Sequence, residues 1–229
     1  MSINKKEDRN ILRKLTDFLT ILPIVVSIVA LSFMPDMIAM HYNIDGIADR
    51  FASKYEILIL PISIIILSII MKLIERSISN DPVFKNRGKS NQKVIERFRL
   101  VLVLMLNVLT FYIIYTSVMG VEDLSKMKIN ITTLVGMMIA LIFIVIGRSL
   151  PKTEINNVFG IRTDSSMKNE KTWDLTQKFS ARVFIITGVI LFIGIPFLRG
   201  VKAIVAILLC AIVPSIICIV YAHIIAKKY

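Results

Sequence analysis

Long apolar stretches alternate with short polar segments along the whole chain. Six apolar stretches recur, at about residues 18–34, 57–74, 100–120, 131–147, 183–198 and 203–226. A helix needs about 20 mainly apolar residues to cross the hydrocarbon core of a bilayer, and most of these stretches approach that length. The pattern therefore predicts an all-α fold, a polytopic membrane helical bundle with six transmembrane helices.

Composition supports a membrane protein and excludes several other classes. Of the 229 residues, 55% are hydrophobic and 19% are charged, whereas soluble domains are typically about 45–50% apolar and more heavily charged. An ordinary cytosolic enzyme, a secreted disulfide scaffold and a disordered regulator are therefore excluded. The sequence contains no phosphate-binding glycine loop, no paired-cysteine metal motif and no nucleophile elbow. The sequence therefore offers none of these motifs for catalysis or cofactor binding, and no cofactor is predicted.

The distribution of basic residues predicts the orientation in the membrane. The net charge is +12. With the N-terminus inside, the inner segments hold 22 Lys and Arg residues and the outer segments hold six. Basic residues are retained on the cytoplasmic side, so both termini are expected in the cytoplasm. This explanation of the positive charge leaves no reason to predict direct binding of nucleic acid.

The six stretches and their loops suggest four parts. They are a cytoplasmic basic N-terminus (1–17), a two-span unit (18–75) with outer loop 35–56, a cytoplasmic basic loop (76–99) and a four-span unit (100–229) with inner loop 151–182.

The outer loop is rich in specific polar residues. Its candidate binding residues are Asp36, His41, Asn43, Asp45, Gly46, Asp49 and Lys54. A helical loop would place His41, Asp45 and Asp49 on one face, where they could bind a divalent metal. However, residues 43–46 have the composition of a turn, which would break that face, so no metal is assigned. In the alternative interpretation, the acidic residues pair with Arg50 and Lys54 to hold a compact loop.

The inner loop contains a second set of candidates. Its candidate binding residues are Asn157, Gly160, Arg162, Thr163, Trp173 and Thr176. The composition of residues 157–160 predicts a turn in which Gly160 takes a positive φ. Arg162 and Thr163, which follow the turn, could then bind an anion such as a lipid phosphate. A helix is expected from about Asn169, its N-cap. The alternative interpretation is a membrane-surface helix anchored by Trp173.

At these two loops the sequence resembles the SdpI family of bacterial membrane proteins and an uncharacterised domain often paired with it. The N-terminal signature is present as Pro35-Asp36, His41-Tyr42-Asn43, Gly46, Asp49 and Ser53-Lys54. The C-terminal signature is present as Asn157, Gly160-Ile161-Arg162-Thr163, Trp173 and Thr176. One departure is Asp164-Ser165-Ser166, where the family usually has Pro-Trp-Thr.

The resemblance implies a multi-pass, non-enzymatic protein of the bacterial cell membrane that provides immunity to a secreted toxic peptide of the sporulation-delaying type. The expected partners are membrane lipids, that peptide and a cytoplasmic transcriptional regulator. The basic loops 75–97 and 151–182 would bind the regulator, although attraction to lipid headgroups explains the same charges. The alternative function is a membrane enzyme or transporter acting on a lipid-like substrate, with a metal at the outer loop.

Overall fold

The computed structural model describes the backbone of residues 2–80 and 88–229, and the side chains of residues 10–77 and 91–229. The elements in chain order are α1 (Ser2–Ala30), β1 (Met37–Tyr42), β2 (Ala48–Ser53), α2 (Ile59–Asn80), α3 (Gly88–Val118), α4 (Ile131–Ser149), α5 (Asp164–Met167), α6 (Glu170–Gly194) and α7 (Gly200–Lys228). Short 3-10 turns lie at Leu31–Phe33, Lys54–Leu58, Leu124–Lys126, Leu150–Lys152 and Ile195–Phe197.

Six helical segments of the described chain are long and apolar enough to cross a membrane. They are Asn10–Phe33, Lys54–Ser77, Asn91–Val118, Ile131–Lys152, Glu170–Phe197 and Gly200–Lys228. Large aliphatic side chains are exposed on them, including Ile66 at 53% and Ile190 at 63%, as expected of surfaces that face lipid. The predicted all-α, six-span class is confirmed, and a two-stranded hairpin between the first two spans is an addition to it.

The chain divides into two compact units, residues 1–73 with 99–131 and residues 74–98 with 132–229. We call these the first unit and the second unit. The apolar core of the first unit consists of Ala30, Met34, Ile38, Ile57 and Ile114. Ile38 belongs to β1, so the hairpin packs on the ends of the helices through the buried side of that strand.

Polar side chains connect the three helices of the first unit. The Asn107 side chain in α3 donates to the Leu19 carbonyl in α1 at 2.9 Å. Asp17 accepts from Lys72 at 2.7 Å and from Arg99 at 3.2 Å. Arg99 is only 2% exposed, and a charge at such a position is costly unless it is paired. These contacts therefore fix which faces of α1, α2 and α3 meet.

In the second unit, α4 and α6 approach closely through glycine. A Cβ added at Gly147 would lie 2.8 Å from the Ala181 carbonyl oxygen. A Cβ added at Gly188 would lie 2.7 Å from the Ala140 carbonyl oxygen. Each helix thus presents a glycine to the backbone of the other, which is a common way for helices to pack tightly in membranes.

We expect Gly188→Ala to lower the apparent unfolding temperature of the purified protein in detergent. The added methyl group meets backbone, which cannot move aside as a side chain can, and overpacking of this kind costs about 1–3 kcal/mol. Gly194→Ala is the matched control, because a Cβ there meets nothing within 4 Å. Equal unfolding temperatures for the two variants would show that the α4–α6 contact is not tight.

Candidate functional site

The outer loop folds as an antiparallel β-hairpin with Met37 opposite Ser53 and Ala39 opposite Phe51. The predicted turn is present. The Asn43 side-chain oxygen accepts from the backbone N–H groups of Asp45 and Ile47, both at 3.0 Å. Gly46 has φ +85°, a conformation that glycine adopts at little cost. A turn held in this way explains why the loop is not helical.

Two ion pairs and one histidine–carboxylate hydrogen bond hold the hairpin. Lys54 pairs with Asp36 at 2.9 Å and His41 pairs with Asp49 at 2.5 Å. Arg50 pairs with Glu56 at 2.5 Å. The structure thus has the compact, charge-paired loop of the alternative interpretation. It brings His41 and Asp49 together, and the described residues contain no group of three or more His, Cys, Asp or Glu side chains that could hold a metal ion.

The tip of the hairpin docks on the segment that follows α3. The Ala48 N–H donates to the Glu122 carbonyl and the Leu124 N–H donates to the Gly46 carbonyl, both at 2.8 Å. The Tyr42 hydroxyl donates to the Val121 carbonyl at 2.8 Å. The sequence analysis did not identify this docking segment, residues 121–126, because the segment and the hairpin are far apart in the sequence.

Two pKa values are altered where the hairpin docks. Burial raises the pKa of the Tyr42 phenol, so that hydroxyl stays protonated and continues to donate. Hydrogen bonding from the Ser125 hydroxyl lowers the pKa of Asp123. The Asp123 carboxylate also accepts from the Ser125 N–H at 3.0 Å, so its charged form caps the short turn at Leu124–Lys126.

One face of the hairpin remains exposed and partly apolar. Side chains alternate along a strand, so the buried residues Ile38 and Ala52 leave their neighbours on the opposite side. There Met37 is 56% exposed and Phe51 is 45% exposed. We call this surface, formed by Met37, Ala39, Phe51 and Ser53, the hairpin face.

The inner loop is folded by two carboxamide side chains. The Asn156 oxygen accepts from the N–H groups of Val158 and Phe159 at 2.8 and 2.7 Å. The Gln177 side chain both accepts from the Ile161 N–H and donates to the Ile161 carbonyl, each at 3.0 Å. The Gln177 side chain is buried, at 1% exposure. These bonds fix the path of the chain from Asn156 to Ile161.

Trp173 lies inside this folded loop. It is 3% exposed, and its indole N–H donates to the Thr153 carbonyl at 3.0 Å. The interpretation of Trp173 as an interfacial anchor is therefore wrong. Gly160 has φ +123° as expected, and a Cβ there would lie 2.9 Å from the Trp173 ring. Glycine is required at this position by both conformation and space.

Two capping boxes start the helices of the loop. At α5, the Thr163 hydroxyl accepts from the Ser166 N–H at 3.0 Å, and the Ser166 hydroxyl accepts from the Thr163 N–H at 2.9 Å. Ser166 belongs to the stretch that departs from the family pattern, so a capping serine shapes the turn here. At α6, Asn169 is the N-cap, as predicted.

The structure divides the candidate residues of the inner loop into two groups. Gly160, Thr163, Trp173 and Thr176 take part in the fold of the loop, and the Thr176 hydroxyl is buried with no hydrogen-bond partner among the described residues. Asn157 and Arg162 are exposed. Arg162 makes no hydrogen bond or ion pair to any other described residue, so its guanidinium is available for a ligand. The sequence analysis selected Asn157 as a candidate. Its neighbour Asn156, which was not selected, makes the hydrogen bonds that hold the turn.

Six spans, a folded hairpin and a folded loop define a multi-pass membrane protein. The SdpI/YfhL protein family matches residues 152–222, and a domain of unknown function (DUF1648) matches residues 18–65. The resemblance to the SdpI family is confirmed by these matches, which cover both loops in part or in full.

One relative is the Immunity protein SdpI of Bacillus subtilis (strain 168). It is 25% identical over 170 residues, which are 73% of this chain and 78% of that protein. No solved structure matches the chain. Together with the six spans, this similarity identifies a multi-pass protein of a bacterial membrane.

We expect Gln177→Leu to speed cleavage by trypsin after Arg162 in the purified protein. The substitution leaves the Ile161 N–H without its partner, at a cost of about 1–3 kcal/mol, and removes one of the two donors to the Ile161 carbonyl, which keeps the Ser166 hydroxyl. The loop therefore opens more often. Asp174→Ala is the matched control, because Asp174 lies on the exposed side of α6 and, among the described residues, pairs only with Lys178. Equal cleavage rates for Gln177→Leu and the control would contradict the proposed role of Gln177.

Proposed function

We propose that this membrane protein is a non-enzymatic immunity protein that protects the cell membrane from a secreted, amphipathic toxic peptide. The similarity to the Immunity protein SdpI supports this proposal. The distribution of Lys and Arg along the chain supports the orientation: with basic segments inside, the hairpin faces outward and the loop 151–182 faces the cytoplasm.

The observation that carries the proposal is a preformed surface beside the spans. Two ion pairs, the His41–Asp49 hydrogen bond and the docking segment hold the hairpin before any ligand binds. On the hairpin face, Met37 and Phe51 remain exposed next to charged side chains. An amphipathic peptide has a matching apolar face, and a rigid surface binds it with little loss of conformational entropy.

The inner loop would respond to this event through Arg162. Its exposed guanidinium, on a loop fixed by Asn156 and Gln177, suits a planar contact with a carboxylate or a phosphate. A cytoplasmic transcriptional regulator would supply the carboxylate, and a membrane lipid would supply the phosphate. Signalling in this form requires two conformations that the two ligands stabilise to different extents.

Deleting the gene and challenging the host with its toxic peptide tests the proposed function. The deletion strain should become sensitive, and the wild-type gene should restore protection. A gene carrying Phe51→Ser should restore little protection, because the hairpin face loses its largest apolar side chain. Phe197→Ser is the matched control, since Phe197 is an exposed phenylalanine, 83% accessible, outside the hairpin. An unchanged sensitivity of the deletion strain would refute the proposal.

We expect Arg162→Lys to reach the membrane in normal amounts and to lose most protective activity. Lysine keeps the charge that sets topology but cannot reproduce the planar, bidentate contact of a guanidinium. Arg182→Lys is the control, because Arg182 is another exposed arginine of the same loop. Full protection by Arg162→Lys at matched membrane levels would show that Arg162 contributes only its positive charge to membrane topology.

A further inference from the structure

A half-open pocket of about 180 Å³, called the cavity below, lies between the hairpin and helices α2 and α3 within the first unit. Its walls are formed by Met40 of β1, Ile57, Leu60 of α2, and Thr110 and Ile113 of α3. Arg50 and Glu56 also line it, and their side chains are 56% and 35% exposed. Ile59, which is 57% exposed, completes the lining, so the charged pair and Ile59 form the accessible part of the cavity wall.

The interior of this cavity is apolar. The Thr110 hydroxyl donates to the Leu106 carbonyl of its own helix at 2.8 Å. Arg50 and Glu56 pair with each other. The remaining walls are aliphatic side chains, so a water molecule in the cavity would find few hydrogen-bond partners.

The volume of the cavity limits what it can hold. An apolar cavity of about 150 Å³ stays dry and binds benzene, so a cavity of about 180 Å³ accommodates one aromatic ring or one branched aliphatic side chain. A lipid acyl chain is many carbons longer than this space. Size therefore favours a single side chain of a peptide.

Charge around the cavity favours a cationic partner. Residues 35–56 and 119–130 together contain six carboxylates and four Lys or Arg residues, although the whole chain carries a net charge of +12. Asp45 and Glu122, near the tip of the hairpin, have no ion-pair partner among the described residues. A surface with this excess of negative charge attracts and orients a positively charged ligand.

We propose that this cavity is an anchor subsite, which receives one aromatic or branched aliphatic side chain of a cationic amphipathic peptide. The proposal rests on the proposed function and adds a second contact to it, since Met40 and Arg50 alternate with Ala39 and Phe51 and lie on the side of the hairpin opposite the hairpin face. The anchor side chain enters between the hairpin and the ends of α2 and α3, past the Arg50–Glu56 pair. Neighbouring basic residues of the peptide then approach Asp45 and Glu122. Buried anchors of this kind dominate the affinity of many protein interfaces.

Filling the cavity tests the proposal directly. Leu60→Trp and Ile113→Trp each place a large side chain in it from a different helix, so one variant can be used if the other does not fold. Ile62→Trp is the matched control, since Ile62 is 46% exposed on α2 and does not line the cavity. The probe is benzene, added to the full-length protein in nanodiscs, with the apparent unfolding temperature as the readout.

Benzene should raise the unfolding temperature of the wild type and of Ile62→Trp by more than that of the two filled variants, because a ligand that occupies the folded protein stabilises it. In the deletion strain, the filled variants should tolerate about tenfold less of the secreted peptide than the wild type does, as expected when one anchor is lost. Ile62→Trp should protect normally.

The outcomes separate this inference from the proposed function. If the wild type gives no protection, the proposed function fails, and the benzene measurement still decides whether the cavity accepts a ring. If the wild type and both filled variants protect equally, the anchor subsite is refuted and the proposed function stands. Equal stabilisation of filled and unfilled proteins by benzene also overturns the inference.

Discussion

Carboxamide side chains hold together two of the described segments in which this chain departs from the helix, the hairpin turn and the inner loop. A membrane supplies no water to pair with backbone N–H and carbonyl groups, so spans are helical and non-helical segments need internal partners. Asn43 satisfies two N–H groups in the hairpin turn. In the inner loop, the Asn156 side chain accepts from two backbone N–H groups, and the Gln177 side chain bonds to both the N–H and the carbonyl of Ile161. Each loop is thereby a folded structure at the membrane surface.

This internal satisfaction leaves other side chains available for ligands. In the hairpin, ion pairs and the docking segment fix the backbone, while Met37 and Phe51 remain exposed. In the inner loop, Trp173 and Gln177 fix the backbone, while Arg162 is exposed and makes no hydrogen bond or ion pair to any other described residue. The residues that build a loop and those proposed to bind are therefore different, and substitutions can separate the two roles.

The features that depend on local patterns could be predicted from the sequence alone. Six spans follow from the lengths of the apolar stretches. The turn at residues 43–46, the positive φ of Gly160 and the N-cap at Asn169 follow from the conformational preferences of single residues. The ion pairs of Lys54 and Arg50 follow from the number of opposite charges in one short loop.

Other features depend on contacts between distant parts of the chain, and these could not be predicted. The strand Met37–Tyr42 contains too few polar residues for a clear alternation, and its partner for docking lies about 80 residues away at Val121. Trp173 has the composition expected of an interfacial anchor, but the segment around Thr153 folds over it. Asn156 and Asn157 are indistinguishable by residue type, and only the path of the backbone selects Asn156.

The most direct test of this account is the labelling of a cysteine on the hairpin face in intact cells. Ser53→Cys, in a chain with Cys210 and Cys218 replaced by serine, would be exposed to a maleimide that cannot cross the membrane. The account predicts labelling without lysis, and slower labelling when the secreted toxic peptide is present. Labelling only after lysis, or at a rate that the peptide does not change, would contradict it.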